Sequence, residues 1–150
     1  HTDRSLGYLE ANLAVYQNFF RNDILILATR VGAEHRIGEF DFFQSAFLGG
    51  ETNHRGFRNE RFAGRTSFYH NTDLRIKLFS AVNYYIPTTI GIFGGYDYGR
   101  VWLDDEEKDV WHDSIGGGIW VSPFDAAVLS AGLFHSEDGN RVAVSLGFLF

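Results

Sequence analysis

Apolar and polar residues alternate with a period of two through most of the chain, the pattern of strands that are oily on one side only. Over residues 8–16, Leu9, Ala11, Leu13 and Val15 share one face, and Tyr8, Glu10, Asn12 and Ala14 share the other. Residues 19–23 read as a turn. A second strand, from residue 24 to about 33, sends Leu25, Leu27, Thr29 and Val31 outward and Ala28, Arg30, Gly32 and Glu34 inward. A polar connection over 34–39 leads to a third strand ending at Phe47 and Leu48, although residues 40–44, Phe-Asp-Phe-Phe-Gln, alternate poorly.

After a long polar loop the alternation returns in its cleanest form. Phe68, His70, Thr72, Leu74, Ile76 and Leu78 lie on one face of a fourth strand, opposite Tyr69, Asn71, Asp73, Arg75 and Lys77. Pro87 marks the next turn. In the fifth strand Asp97 shares its face with Gly91, Phe93, Gly95 and Gly99, glycines that leave room for another piece of chain to approach. Residues 103–110, with Asp104, Asp105, Glu106 and Glu107, form an acidic loop between Trp102 and Trp111. A sixth strand over 115–121 closes at Ser122-Pro123-Phe124-Asp125, a seventh runs over 126–135, and 136–140 is a tight turn. The last strand sets Val142, Val144, Leu146, Phe148 and Phe150 against Arg141, Ala143, Ser145 and Gly147.

Because the charges gather opposite the apolar faces, the pattern predicts a polar interior and an oily exterior, the inverse of a soluble sandwich. The fold class expected is therefore all-β, an antiparallel transmembrane β-barrel with eight strands in this chain. Counted backward from a periplasmic end, the two longest loops fall on one outer side. The tryptophans and the pair Tyr84-Tyr85 read as interface girdle.

Composition narrows the classes further. Aromatics at 17%, 17 glycines and only 2 prolines favour strands. Hydrophobic content of 45% with a mean hydropathy of -0.15 means interleaving rather than runs, and no segment approaches a membrane helix. One hundred and fifty residues without cysteine make one domain, or a piece of one, with no disulfide, thiolate-metal or thiol-nucleophile chemistry. A net charge of -6 argues against nucleic acid as a partner. The chain has no methionine, even at position 1, and no basic-then-apolar start, which reads as a processed chain or a fragment.

The candidate chemistry centres on residues 47–58, Phe-Leu-Gly-Gly-Glu-Thr-Asn-His-Arg-Gly-Phe-Arg, a glycine-marked strand end and a loop around Arg55-Gly56-Phe57. A carboxylate facing a packed interior is costly without a cation beside it, so a loop arginine and in-strand aspartates make sense together if the loop folds back on the strands. Residues 47–150 resemble the C-terminal barrel region of the BamA/TamA family, the bacterial surface antigen family. The motifs come in family order: Leu48-Gly49-Gly50, then Arg55-Gly56-Phe57, then Asn71-x-Asp73-Leu74-Arg75. Phe93-x-x-x-Asp97-x-Gly99-x-Val101-Trp102 follows, then a Gly-rich strand with Ser122-Pro123 and a terminal aromatic.

The resemblance implies a 16-stranded barrel of the bacterial outer membrane, of which these strands are half, with a loop at about residues 49–66 folded into the lumen. It implies that Arg55, Gly56 and Phe57 lock that loop against Asp97, with Asp73 as a second partner, and that Phe150 is a barrel-insertion signal. The function implied is noncatalytic: insertion, assembly or translocation of proteins, with outer-membrane lipids, client outer-membrane proteins and assembly-machinery subunits as partners. Two positions depart from the family pattern, His54 where an aliphatic residue is usual and Asp73 where glutamate is commoner. Some relatives join the barrel to a soluble enzyme domain, so an anchor for a missing N-terminal enzyme is one alternative. A small closed eight-stranded barrel, structural or enzymatic, is another; His112 with Asp104, Asp105 or Asp113 is its only candidate dyad, without a recognisable nucleophile. No histidine has metal-ligand spacing, and neither Gly94-Gly95 nor Gly116-Gly117-Gly118 is a phosphate loop, so no cofactor or metal is expected.

Overall fold

The computed structural model describes residues 6–81, 86–103, 110–124 and 126–150. Tyr84, Tyr85, the acids Asp104 to Glu107, and Asp125 lie outside the described residues. The chain is all-β and antiparallel. Its long strands are β1 (Leu6–Asn18) and β2 (Leu25–Gly38), which precede a short hairpin of β3 (Ala46–Leu48) and β4 (Phe62–Gly64). They are followed by β5 (Thr66–Ala81), β6 (Thr88–Trp102), β7 (His112–Pro123), β8 (Leu129–Ser136) and β9 (Gly139–Leu146). One seven-stranded sheet runs in the order β1-β2-β5-β6-β7-β8-β9, and β3 pairs only with β4.

Among the described residues the main sheet has seven strands in place of the expected eight. The segment expected to hold the third contains a short 3₁₀ turn, Phe42–Gln44, in which Asp41 and Gln44 cap each other. Only residues 46–48 form a strand there, and they pair with 62–64 outside the main sheet. β2 therefore pairs directly with β5, from Leu25 opposite Ile76 to His35 opposite Thr66. The poor alternation of Phe40 to Gln44 is the signal of this departure, because a stretch without period two cannot place one side against lipid or core. β2 is correspondingly longer than expected. Glu34 and Arg36 form an ion pair, and the polar stretch continues the strand.

Register divides the sheet into two unlike faces. The convex face carries Leu13, Leu74, Ile92, Ile119, Leu133 and Val142, whose exposure runs from 40% at Ile92 to 68% at Leu13 and Val142. The opposite face carries Arg30, Asn71, Asp73, Arg75, Asp97 and Ser114, and it is covered by the chain between β3 and β4; Asn71, Asp73 and Asp97 are 0% exposed. The ordinary arrangement of a water-soluble sheet is reversed.

The long connections 39–65 and 103–111 leave the same edge of the sheet, opposite the end where β9 finishes. At that far end the expected last strand stops short. β9 ends at Leu146, and Gly147, with φ +102°, turns the chain off the convex face. Phe148 and Phe150 then lie on the concave side, where Phe148 meets Phe93 and Trp120 and Phe150 meets Tyr16. Trp120 also departs from the girdle reading. It sits over Gly91, where a Cβ would fall 2.3 Å from its ring, and donates to the Ile92 carbonyl at 3.2 Å. Trp102 and Trp111 do face outward, in a cluster with Phe68 and Tyr98 at the edge from which the long connections leave.

The direct β2–β5 pairing makes a testable distinction. Thr29 and Thr72 are register partners with hydroxyl oxygens 3.5 Å apart, so Thr29→Cys with Thr72→Cys should form a disulfide on mild oxidation. An intervening strand would hold these residues roughly 10 Å apart and block it. Mass spectrometry of the oxidised double variant reads the result.

Candidate functional site

The Arg55 loop is built by local backbone chemistry first. Gly49 and Gly50 adopt φ +125° and +100°, conformations that a side chain disfavours. They let the chain close a five-residue ring in which Gly50 and His54 exchange N–H···O bonds of 2.9 Å. Asn53 braces the ring, accepting from the Gly49 N–H and donating to the Phe47 carbonyl. Glu60, also at positive φ, donates its N–H to the Gly49 carbonyl at 3.3 Å and closes the loop's base.

A loop laid on a sheet must satisfy its own backbone there. Arg30 on β2 donates to the Thr52 carbonyl at 2.6 Å, and Asn71 on β5 donates to the Asn53 carbonyl at 2.8 Å. Arg30 in turn holds the Asn71 side-chain oxygen through Nε and Nη2. Ser136 on β8 donates to the Gly56 carbonyl at 2.8 Å. Four strands apart in the sheet, Arg30 and Ser136 hold one segment from two sides.

At the centre stands the guanidinium of Arg55, 6% exposed. Its Nε donates to Asp97 Oδ2 at 2.9 Å, its Nη2 to Asp97 Oδ1 at 2.6 Å and to Asp73 Oδ1 at 2.7 Å, and its backbone N–H reaches Asp97 Oδ2 at 3.0 Å. The bond to Asp97 is the two-pronged arrangement that fixes position as well as charge. Burial alone would depress the Arg55 pKa, but hydrogen bonding to Asp97 and the charges of Asp97 and Asp73 outweigh it and raise the value. Phe134 lies under the guanidinium, 4.3 Å from ring centre to Cζ.

Small residues make this approach possible. A Cβ on Gly95 would lie 2.6 Å from Arg55 Nη2 and 2.9 Å from Asp73 Oδ1. One on Gly56 would lie 2.2 Å from the Ser114 Cβ, and one on Gly99 would lie 3.0 Å from Leu48. Only about 20 Å³ is left open beside Arg55, room for about one water, so the cluster is a packed joint and not a ligand pocket.

Phe57, fully buried, finishes the joint on the side away from Arg55. It packs edge-on against His54 at 4.6 Å and Phe62 at 5.0 Å, and Phe62 stacks on His112 at 3.6 Å. His54 is also fully buried; its Nε2 lies 3.1 Å from the His112 carbonyl and its Nδ1 3.4 Å from the Ser114 hydroxyl. Burial, the largest influence, pulls its pKa below the usual 6.5. His112 pairs with Glu137 and not with Asp113, which adjoins Tyr96 on the convex face.

The structure thus brings together Arg55, Gly56, Phe57, Asp73 and Asp97, and adds Arg30, Asn71, Ser114, Phe134 and Ser136, which sequence reasoning did not assign to the site. Inward position on alternating strands was the available signal for them. Phe150 lies apart from Arg55: its oxygen accepts from Arg75 at 2.7 Å, and Arg75 touches Asp73 at 3.3 Å. Among the described residues, no group of three or more His, Cys, Asp or Glu side chains forms a metal site. No protein-family model matches the chain, no curated protein matches it, and no solved structure matches it.

Arg55→Ala would strand the buried carboxylate of Asp97 and leave Asp73 with Arg75 alone, an effect on the order of 3–5 kcal/mol. Denaturant unfolding should show that loss, and combining Arg55→Ala with Asp97→Asn should cost clearly less than the sum of the single changes. His54 gives the pH dependence. Its folded pKa lies below 6.5, so the unfolded chain takes up a proton first and stability falls as pH drops through about 6.5. His54→Gln should flatten that acid-side slope, as read by midpoints of unfolding between pH 7.5 and pH 5.

Proposed function

We propose that this chain forms part of a transmembrane β-barrel of the bacterial outer membrane, of the BamA/TamA type, that takes part in inserting, assembling or translocating other proteins. The observation that carries the reading is the reversed sheet. A convex face of exposed Leu, Ile and Val opposite a concave face holding buried Asp and Arg suits hydrocarbon outside and a polar lumen inside. The outward cluster of Trp102, Trp111, Phe68 and Tyr98 suits one edge of the hydrocarbon layer.

One feature supports the family-type reading over a small closed barrel, and a second bears on how the sheet closes. A lumen of eight strands is nearly filled by its own side chains, whereas this concave face holds a whole folded loop. Strand parity is the second. β1 and β9 both start from the edge that bears the long loops, so they run parallel to each other. Antiparallel closure then requires an odd number of further strands, so the seven do not close on themselves; nine would complete the sixteen that the resemblance implies, and one would close a barrel of eight. In this assembly Arg55, held by Asp97 and Asp73, locks the loop across β5 and β6 and keeps the arc in one shape.

Cell fractionation with depletion tests the proposal. The chain should travel with the outer membrane, and its depletion should lower the folded amounts of other outer-membrane proteins. Arg55→Ala should fail to restore them while keeping its strand content by circular dichroism. Normal levels of other barrels after depletion would exclude the assembly role, and a water-soluble chain would exclude the membrane reading as well.

A further inference from the structure

Below the Arg55 joint, toward the end where β9 finishes, the concave face opens into a cavity of about 400 Å³. That is within the size range of sites for small organic ligands, roughly 300–1,000 Å³. One wall is cationic and hydroxylic, from Arg75 and Lys77 on β5, Thr89 on β6 and Ser122 on β7. The other is apolar, from Trp120, Phe148, Ile26 and Val128. Gly91 lets Trp120 lie down against the sheet as part of the apolar wall, since a Cβ there would fall within 2.4 Å of two ring atoms.

The charged residues that line the cavity are two cations, Arg75 and Lys77, and one acid, Asp23. Arg75 uses Nη2 for Asp73 and for the Phe150 oxygen, but its Nε, on a side chain 8% exposed, has no hydrogen-bond partner. That nitrogen has almost no accessible surface, so the less committed charge that meets an occupant of the cavity is that of Lys77. No ion pair of Lys77 occurs among the described residues.

We propose that this cavity is a binding site for a small amphipathic carboxylate, its oxygens taken by Arg75 and Lys77 and its apolar body laid against Trp120 and Phe148. The hydroxyls of Thr89 and Ser122 complete the head-group wall. The inference needs only the concave face and is independent of the membrane and assembly roles. A phosphate would meet the cations equally well but would leave the apolar wall wet, so the site selects for the carbon skeleton as well as the charge.

Titration calorimetry of the full chain in zwitterionic micelles, with 4-phenylbutyrate as probe and 4-phenylbutanamide as its neutral counterpart, tests this. The acid should bind saturably, at least about tenfold tighter than the amide, and inorganic phosphate should not compete at equal concentration. Lys77→Gln should weaken the acid about tenfold, and Lys77→Arg should restore it. Equal affinity for acid and amide, absence of saturable binding, displacement by phosphate alone, or an unchanged Lys77→Gln would each overturn the proposal. The acid–amide comparison uses the unaltered chain, so it stands even if a variant fails to fold.

Discussion

Two carboxylates at zero exposure on adjacent strands are tolerable because one guanidinium, that of Arg55, reaches both, and Arg75 adds a second contact to Asp73. Isolated, each would be driven to protonate or to find water, and the packed concave face offers little of either. Arg55 supplies the charge, yet it arrives on a loop, so the electrostatic requirement becomes a geometric one. The loop must cross the sheet to a single place. From that requirement follow the glycine pair that bends it, the Gly95 gap that admits the guanidinium, and the side chains of Arg30, Asn71 and Ser136 that take up its backbone oxygens. Removing the ion pair from this sheet would leave a polar hollow that neither water nor hydrocarbon suits.

The convex face answers a different requirement. Among the described residues its leucines, valines and isoleucines have no covering layer, and no helix is long and apolar enough to cross a membrane. A sheet with an exposed oily side and a charged inner side suits a medium that reverses the usual order of burial, which is the setting proposed above. The two faces are complementary in that the polar groups of the Arg55 joint are gathered on one side and the uncovered apolar residues on the other.

Much of this was legible in the residues because period two is unambiguous where every second residue is charged or oily. β5 and β6 read correctly face by face, and Arg55, Asp97 and Asp73 could be grouped because loop cation and strand anions need one another. Three features were not legible for identifiable reasons. The residues around Phe42 are apolar enough to look like strand, and only the cap between Asp41 and Gln44 makes them a turn. Val142 to Phe150 keeps perfect alternation, so nothing local reveals that Gly147 turns Phe148 and Phe150 inward, where Arg75 and Trp120 hold them. Trp120 reads as a membrane-edge residue until the absence of a side chain at Gly91 is seen to leave it a bed on the inner face.

The tail and the joint are linked through one residue. Arg75 touches Asp73 on one side and the Phe150 oxygen on the other, while its guanidinium lies 3.8 Å from the centre of the Phe148 ring. Asp73 is in turn shared with Arg55. A displacement of the last four residues would therefore change what balances Asp73, and a change in the loop would alter what Arg75 can offer the tail. Because the groups are buried, such changes are poorly screened and are felt across the few ångströms between them. The loop that leaves one end of the sheet and the tail that leaves the other are thus coupled through the same pair of strands, with Asp73 as the shared charge.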